Sequence, residues 1–207
     1  MIKSVIFDID GVLLDSFETN LRFYHDLMTY FGHRPPTREG YPALSHLSLW
    51  DSIREMTGLE SEAEIKKIWE AGKSGKVRYP FELSRMPEEA ETVIIALSQK
   101  YSLGIVTSRL EQSMFQTEEM KALEKYFKAA VSFEDTAKRK PDPEPLLLAA
   151  KKLNIKPEEA VYIGDAESDL GAARAAGMKA IIYSKNIPGA DAWTLSFGEL
   201  PELIKAL

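Results

Sequence analysis

Apolar positions along the chain follow two different rhythms. Short unbroken runs occur at Val5-Ile6-Phe7, Leu103-Gly104-Ile105-Val106, Val161-Tyr162-Ile163 and Ala180-Ile181-Ile182. Runs of this length without alternation predict strands covered on both faces. One more short strand is predicted at 129–132. Between the first run and residue 86 the apolar residues recur instead at helical spacing. Leu13-Leu14, Leu21, Phe23-Tyr24, Leu27-Met28 and Phe31 predict one helix, closed by Gly32 and Pro35-Pro36. Ser45 is placed to cap a second, carrying Leu49, Ile53 and Met56 and stopped at Gly58. Ser61 with Glu64 three positions on reads as the capping box of a third, holding Ile65, Ile68 and Trp69. Gly72, Gly75 and Pro80 end that section.

From Pro87 onward helix and strand alternate. Ala90, Val93-Ile94 and Leu97 form a helical stripe, and further helices are predicted at 112–126 and at the Ala-rich stretch 166–176. Asp142 can cap another with Pro143 at its first position, where the missing N–H costs nothing. Alternation of this kind means an α/β fold, a doubly wound parallel sheet with helices on both faces. The first strand belongs with that sheet, so residues 1–15 and 87–207 are predicted as the core and 16–86 as an inserted all-helical domain. Trp69, Trp193 and the phenylalanines of the first helix are read as core material.

Composition narrows the class. The 207 residues include no Cys, which excludes a disulfide scaffold, thiol nucleophiles and thiolate metal sites. A chain of this size buries roughly 70% of its unfolded area. No apolar run approaches the ~20 residues of a membrane span, and Asp8 arrives too early for a signal peptide. The net charge of -6 argues against nucleic-acid or anionic-membrane partners. The reading is a soluble, cytoplasmic protein.

Three predicted strands run into polar residues: Asp8-Ile9-Asp10-Gly11, Thr107-Ser108-Arg109, and Gly164-Asp165-Ala166-Glu167-Ser168-Asp169. Ligands of open parallel sheets bind at the C-terminal strand edge, so these loops can converge there. Asp8 and Asp10, two apart in extended chain, would point the same way; Asp165 and Asp169, four apart, would share a helix face. Two carboxylates ~4 Å apart near a surface repel by about 4 kcal/mol at an effective dielectric of 20. Such a cluster calls for a cation, and oxygen-only ligands select a hard one, Mg²⁺. Mg²⁺ commonly adds waters and a substrate phosphate. Thr107, Ser108 and nearby backbone N–H groups could hold phosphoryl oxygens. Lys140, heading Lys140-Pro141-Asp142-Pro143, would neutralise both a carboxylate nucleophile and the incoming phosphate. An aspartate nucleophile works through an acyl phosphate, and a second acid, with Asp10 as the candidate, must protonate the leaving group and then activate water.

The chain resembles the haloacid dehalogenase superfamily, in its Mg²⁺-dependent phosphatase branch with a helical cap. The matching elements are Asp8-Ile9-Asp10-Gly11-Val12-Leu13-Leu14-Asp15-Ser16, Thr107-Ser108, Lys140-Pro141-Asp142-Pro143, and Gly164-Asp165 with Asp169, in family order over about residues 5 to 177. The resemblance implies a Rossmann-like core, with 16–86 as a cap that closes over the site. It implies Asp8 as phosphoryl acceptor and Asp10 as acid/base. It further implies Thr107 and Lys140 as phosphate clamps, and Mg²⁺ on Asp8, Asp165 and the Asp10 backbone carbonyl, with Asp169 acting through a metal-bound water or by orienting the ligands. The expected activity is hydrolysis of a small phosphate monoester, phosphoglycolate phosphatase-like. Family dehalogenases and phosphonate-cleaving relatives lack an acid where Asp10 stands. Sugar phosphomutases keep it, but their cap offers an arginine shortly before an Asp-Ser pair; here Leu49-Trp50 precedes Asp51-Ser52. A mutase of the β-phosphoglucomutase type is the alternative, and a non-catalytic phosphate-binding member a more distant one.

Each candidate has a plainer reading beside it. Asp165 is also a helix N-cap and Asp169 also a helix-face acid. Lys140 lies in the basic run Lys138-Arg139-Lys140, where Pro141 and Pro143 single it out. Arg109 reads as a substrate contact or a surface ion pair, and Glu167 as a first-turn acid favoured by the helix dipole. His46, Trp50 and Arg54, four apart, would form a packing or solvent stripe, with substrate reading as the alternative.

Overall fold

Six strands, β1 (Ser4–Phe7), β2 (Ser102–Val106), β3 (Phe127–Val131), β4 (Ala160–Gly164), β5 (Lys179–Tyr183) and β6 (Ala192–Thr194), form one sheet in the order β3-β2-β1-β4-β5-β6. Every neighbouring pair is parallel. The structure, a computed structural model, describes residues 1–44 and 47–207; Ser45 and His46, and with them the Ser45 cap and the His46 end of the predicted stripe, lie outside the described residues. The helices are α1 (Phe17–Tyr30), α2 (Leu49–Thr57), α3 (Glu62–Lys73), α4 (Ala90–Ser98), α5 (Glu118–Leu123), α6 (Glu144–Leu153), α7 (Glu167–Ala176) and α8 (Leu200–Ala206). The chain divides into two compact units, 1–15 with 86–207, and 16–85.

In the sheet-bearing unit strand alternation sorts side chains into two cores. Val5, Phe7, Leu103, Ile105, Val161, Ile163 and Ile181 meet α4, α5 and α8 through Ile94, Met120 and Ile204 on one face. Ile6, Val106, Tyr162, Ala180 and Ile182 meet α6 and α7 through Leu146, Ala149, Leu170 and Ala173 on the other. That double cover is why the strands are apolar runs with no polar alternation. Met86 belongs to this unit, packed against its first core. The strand order reverses direction at β1, the position where ligands bind in doubly wound sheets.

The helical unit buries Phe23, Tyr24, Leu27, Met28, Tyr41, Ile53, Ile65, Ile68 and Val77 in a core of its own. Ser61 caps α3 by accepting the Glu64 N–H, and α2 is capped by Ser48, which accepts the Asp51 N–H at 3.2 Å. No helix among the described residues is long and apolar enough to cross a membrane.

Several local expectations need correction. Leu13 and Leu14 do not open α1: they lie in a turn after β1, where Leu14 N–H donates to the Ile9 carbonyl, and the helix starts at Phe17. The helix expected at 112–126 is broken, because Thr117 starts a fresh cap by accepting the Met120 N–H and leaves only six residues in α5. Strand β6 was not anticipated, and Trp193 within it is 45% exposed rather than core.

Candidate active site

Strand register assembles the site. Phe7 lies level with Ile105 and with Ile163, so the residues that follow β1, β2 and β4 emerge at one edge of the sheet. Asp8 N–H still donates to the Ile163 carbonyl and Thr107 N–H to the Val131 carbonyl, which extends the ladder by one residue before the loops depart. Asp8, Asp165 and Asp169 each bring a carboxylate oxygen to within 4.8 Å of the others. Two glycines make this approach possible. At Gly11, with φ of +75°, an added Cβ would lie 2.4 Å from Asp165 Oδ2, and at Gly164 it would lie 2.3 Å from Asp169 Cβ. Gly164→Ala is therefore expected to cost about 1–3 kcal/mol through forced displacement of Asp169, read as a lowered urea midpoint with unchanged slope; an unchanged midpoint would mean the Asp169 backbone yields freely.

Lys140 lies at the centre. Its side chain, 7% exposed, donates to Asp8 Oδ2 and Asp169 Oδ1, both at 2.6 Å, and to the Tyr162 hydroxyl at 2.9 Å. All three ammonium protons are thus used. Burial works against its charge, yet Asp169 and Asp8 outweigh burial and raise its pKa well above the ordinary lysine value. The neighbouring basic residues are engaged elsewhere: Lys138 is 68% exposed and pairs with Asp142, and Arg139 stacks over Phe133. Tyr162 was not anticipated as a site residue. The signal was available, since a buried tyrosine in an aliphatic strand needs a partner for its hydroxyl.

Asp169 is 1% exposed, which sets aside the plain helix-face reading. Its Oδ2 accepts the N–H groups of Asp165 and Ala166, at 3.0 and 2.9 Å, while Oδ1 takes Lys140. The reach back to the helix start is therefore made by Asp169, with Ala166 at the N-cap position, and Asp165 precedes α7 instead of sharing its face. Glu167 is exposed in the first turn of α7. The Asp8 carboxyl is pushed up to about 7, by burial first and by Asp169 and Asp10, against the lowering effect of Lys140. That of Asp165 rises to about 6 for the same leading reason, burial, with Asp169 adding to it.

The Asp10 carboxylate faces a different cation from that of Asp8. Arg109 grips it with two N–H groups, Nε to Oδ2 at 2.9 Å and Nη2 to Oδ1 at 2.7 Å. The pair is buried on the arginine side, so the surface ion pair considered for Arg109 is corrected. Thr107 is buried, its Oγ1 accepting the Arg109 N–H at 3.2 Å, and Ser108 is half-buried beside it. In the helical unit Trp50 packs edge-on against Trp69, and Arg54 pairs with Glu62 at the surface.

The donor set suits a hard divalent cation. It offers only oxygens: Asp8, Asp165 and Asp169 bring three carboxylates together, and Lys140 supplies one positive charge to Asp8 and Asp169. One doubly charged ion would balance that deficit.

Comparison with known proteins agrees with this geometry. The profile of the haloacid dehalogenase-like hydrolase family matches residues 5–183. The pyrophosphatase PpaX of Bacillus thuringiensis (strain Al Hakam) is 30% identical over 190 residues, covering 91% of this chain and 86% of that protein. Among solved structures, a HAD-superfamily hydrolase of subfamily IA, variant 1, from Geobacter sulfurreducens PCA superposes with a TM-score of 0.73 at 29% identity, over 98% of this chain and 96% of that one. The β-phosphoglucomutase of Clostridium difficile shares the fold, with a TM-score of 0.81 at 22% identity, over 100% and 98% of the two chains.

Proposed function

We propose, from the premise that this chain belongs to the haloacid dehalogenase-like hydrolases and is an enzyme of their phosphatase type, that it hydrolyses a small phosphate monoester with Mg²⁺ through phosphoryl transfer to Asp8. The carrying observation is the cage of Asp8, Asp165 and Asp169 bridged by Lys140. Mg²⁺, held by Asp8 and Asp165 with the Asp10 carbonyl, and with Asp169 orienting the set, would supply charge neutralisation for the phosphoryl oxygens.

The chain's own groups do the rest. Asp8 is held on both oxygens, Oδ1 by the Ile9 N–H at 2.7 Å and Oδ2 by Lys140, which fixes the carboxylate for in-line attack. An Asp8 oxygen bonds to phosphorus as the ester P–O bond breaks, and Asp10 gives its proton to the departing oxygen. Water then attacks the same phosphorus and gives a proton to Asp10, and the bond to Asp8 breaks to release inorganic phosphate. Thr107 and Ser108 are the groups assigned to the phosphoryl oxygens, and the Lys140 charge beside Asp8 offsets the repulsion between that carboxylate and the incoming phosphate.

Return of the phosphoryl group to a sugar is the mutase alternative. A mutase cap would offer an arginine shortly before the Asp51-Ser52 pair, and here Leu49-Trp50 stands in that place; Asp51 bonds Ser48, and the buried Ser52 accepts from the Tyr24 hydroxyl at 3.2 Å. This favours hydrolysis. The test is phosphate release from a panel of small esters, with inorganic pyrophosphate included, in Mg²⁺ and in chelator. Mg²⁺-dependent release from at least one ester is expected; isomerised sugar phosphate without release would establish the mutase, and no turnover of any ester would overturn both.

A second check reads stability. The folded-state values of Asp8 and Asp165, about 7 and about 6, lie above the ordinary 3.8. The stability tied to these two groups is therefore full below pH 3.8 and is lost as pH climbs through about 6 and about 7. In chelator the thermal midpoint should fall between pH 5 and 8, and Mg²⁺ should shrink that fall in the parent more than in Asp165→Asn. Equal falls with and without Mg²⁺ would contradict the ligand assignment.

A further inference from the structure

Arg109 is placed where a phosphate contact would be expected, yet its donors are turned to other acceptors. Its side chain is 6% exposed. Nε and Nη2 take the two oxygens of Asp10, and Nη1 donates to the Ser113 carbonyl at 3.2 Å. The backbone beneath it is fixed as well. The Arg109 N–H donates to Thr107 Oγ1 at 3.2 Å, and its carbonyl accepts the Phe133 N–H at 2.8 Å.

A guanidinium anchored at both ends presents a rigid planar fork. A fork bonded to both carboxylate oxygens sets the plane of the carboxylate, whereas a single N–H would leave rotation about Cβ–Cγ open. Asp10 needs such a constraint. It sits in the tight turn after β1, where Gly11 N–H reaches the Leu14 carbonyl and Leu14 N–H the Ile9 carbonyl, each at 2.9 Å. That turn fixes the backbone and leaves the side-chain plane to be set by a neighbour.

We infer that Arg109 is a positioning residue, orienting the Asp10 carboxylate toward the oxygen that leaves phosphorus, and that it does not hold the substrate's phosphoryl group. The inference rests on the proposed acid/base role of Asp10. It makes a distinction that a structural role alone would not make. Loss of an oriented acid harms the departure of a poor leaving group far more than that of a good one, which departs without needing a proton.

The experiment uses the full chain with Mg²⁺ and two probes, ethyl phosphate and p-nitrophenyl phosphate. The variants are Arg109→Gln, Arg109→Lys, Asp10→Asn and the double variant Asp10→Asn/Arg109→Gln. Arg109→Gln should lower kcat/KM about 100-fold for ethyl phosphate and no more than about 10-fold for p-nitrophenyl phosphate. The inhibition constant of inorganic phosphate should stay within about 2-fold of the parent's. Arg109→Lys, which keeps the charge and protects against misfolding, should show the same pattern at smaller size, since one ammonium cannot clamp both oxygens in plane. In the Asp10→Asn background Arg109→Gln should add no more than about 2-fold. Equal losses on the two esters, a phosphate inhibition constant raised about 10-fold, or additive losses in the double variant would overturn the positioning role and leave the assignment of Asp10 standing. An Asp10→Asn enzyme as fast as the parent would overturn that assignment, and the positioning role with it.

Discussion

Asp8→Asn should lower Mg²⁺-dependent phosphate release by at least about 10⁴-fold, as removal of a covalent nucleophile does. An amide of the same shape keeps the space and can still accept the Ile9 N–H, so the site should persist around it. What disappears is the anionic oxygen that bonds phosphorus. The substitution also removes one carboxylate from a crowded cluster, so the thermal midpoint in chelator should not fall even as turnover does. Steady-state phosphate release reads the first point, and thermal unfolding in chelator reads the second. Turnover within about 10-fold of the parent would remove Asp8 from the nucleophile role.

Lys140→Met should do the opposite to stability. Methionine matches the length and apolar stem of lysine but leaves Asp8 and Asp169 facing each other with no cation between them. Breaking a buried ion pair from one side costs about 3–5 kcal/mol, chiefly because the remaining charge is stranded. Here one ammonium serves two carboxylates and a tyrosine hydroxyl, so the upper part of that range is expected. Urea unfolding in chelator should show it, and Mg²⁺ should restore part of the stability while turnover stays low. A loss under about 1 kcal/mol would mean that the cluster tolerates its own repulsion and that Lys140 contributes like a surface pair.

The legible parts of this molecule are those set by local pattern. Strands β1, β2, β4 and β5 announce themselves as unbroken apolar runs because both faces of the sheet are covered, and their C-terminal residues mark one edge. Ser61 was legible as a cap because its partner is three residues away. Other features depend on tertiary neighbours. Strand β6 is three residues long at the sheet edge, with Trp193 turned to solvent, so it lacks the apolar signature. The break in the helix at 112–126 depends on Thr117, one polar residue among many that could cap. Arg109 and Asp10 are 99 positions apart and meet only because β2 lies beside β1. Nothing near either residue specifies that meeting. The same holds for Tyr162, whose role depends on Lys140 arriving from a separate loop.

Strand β1 has a consequence for synthesis. Of the sheet's six strands it is made first, and it lies between β2 and β4, whose residues follow roughly a hundred and a hundred and sixty positions later. Until Gly164 has been made, one side of β1 has no partner, and an unpaired apolar edge invites association with other chains. The residue assigned the covalent step is therefore carried by a segment that waits through most of translation for its flanks.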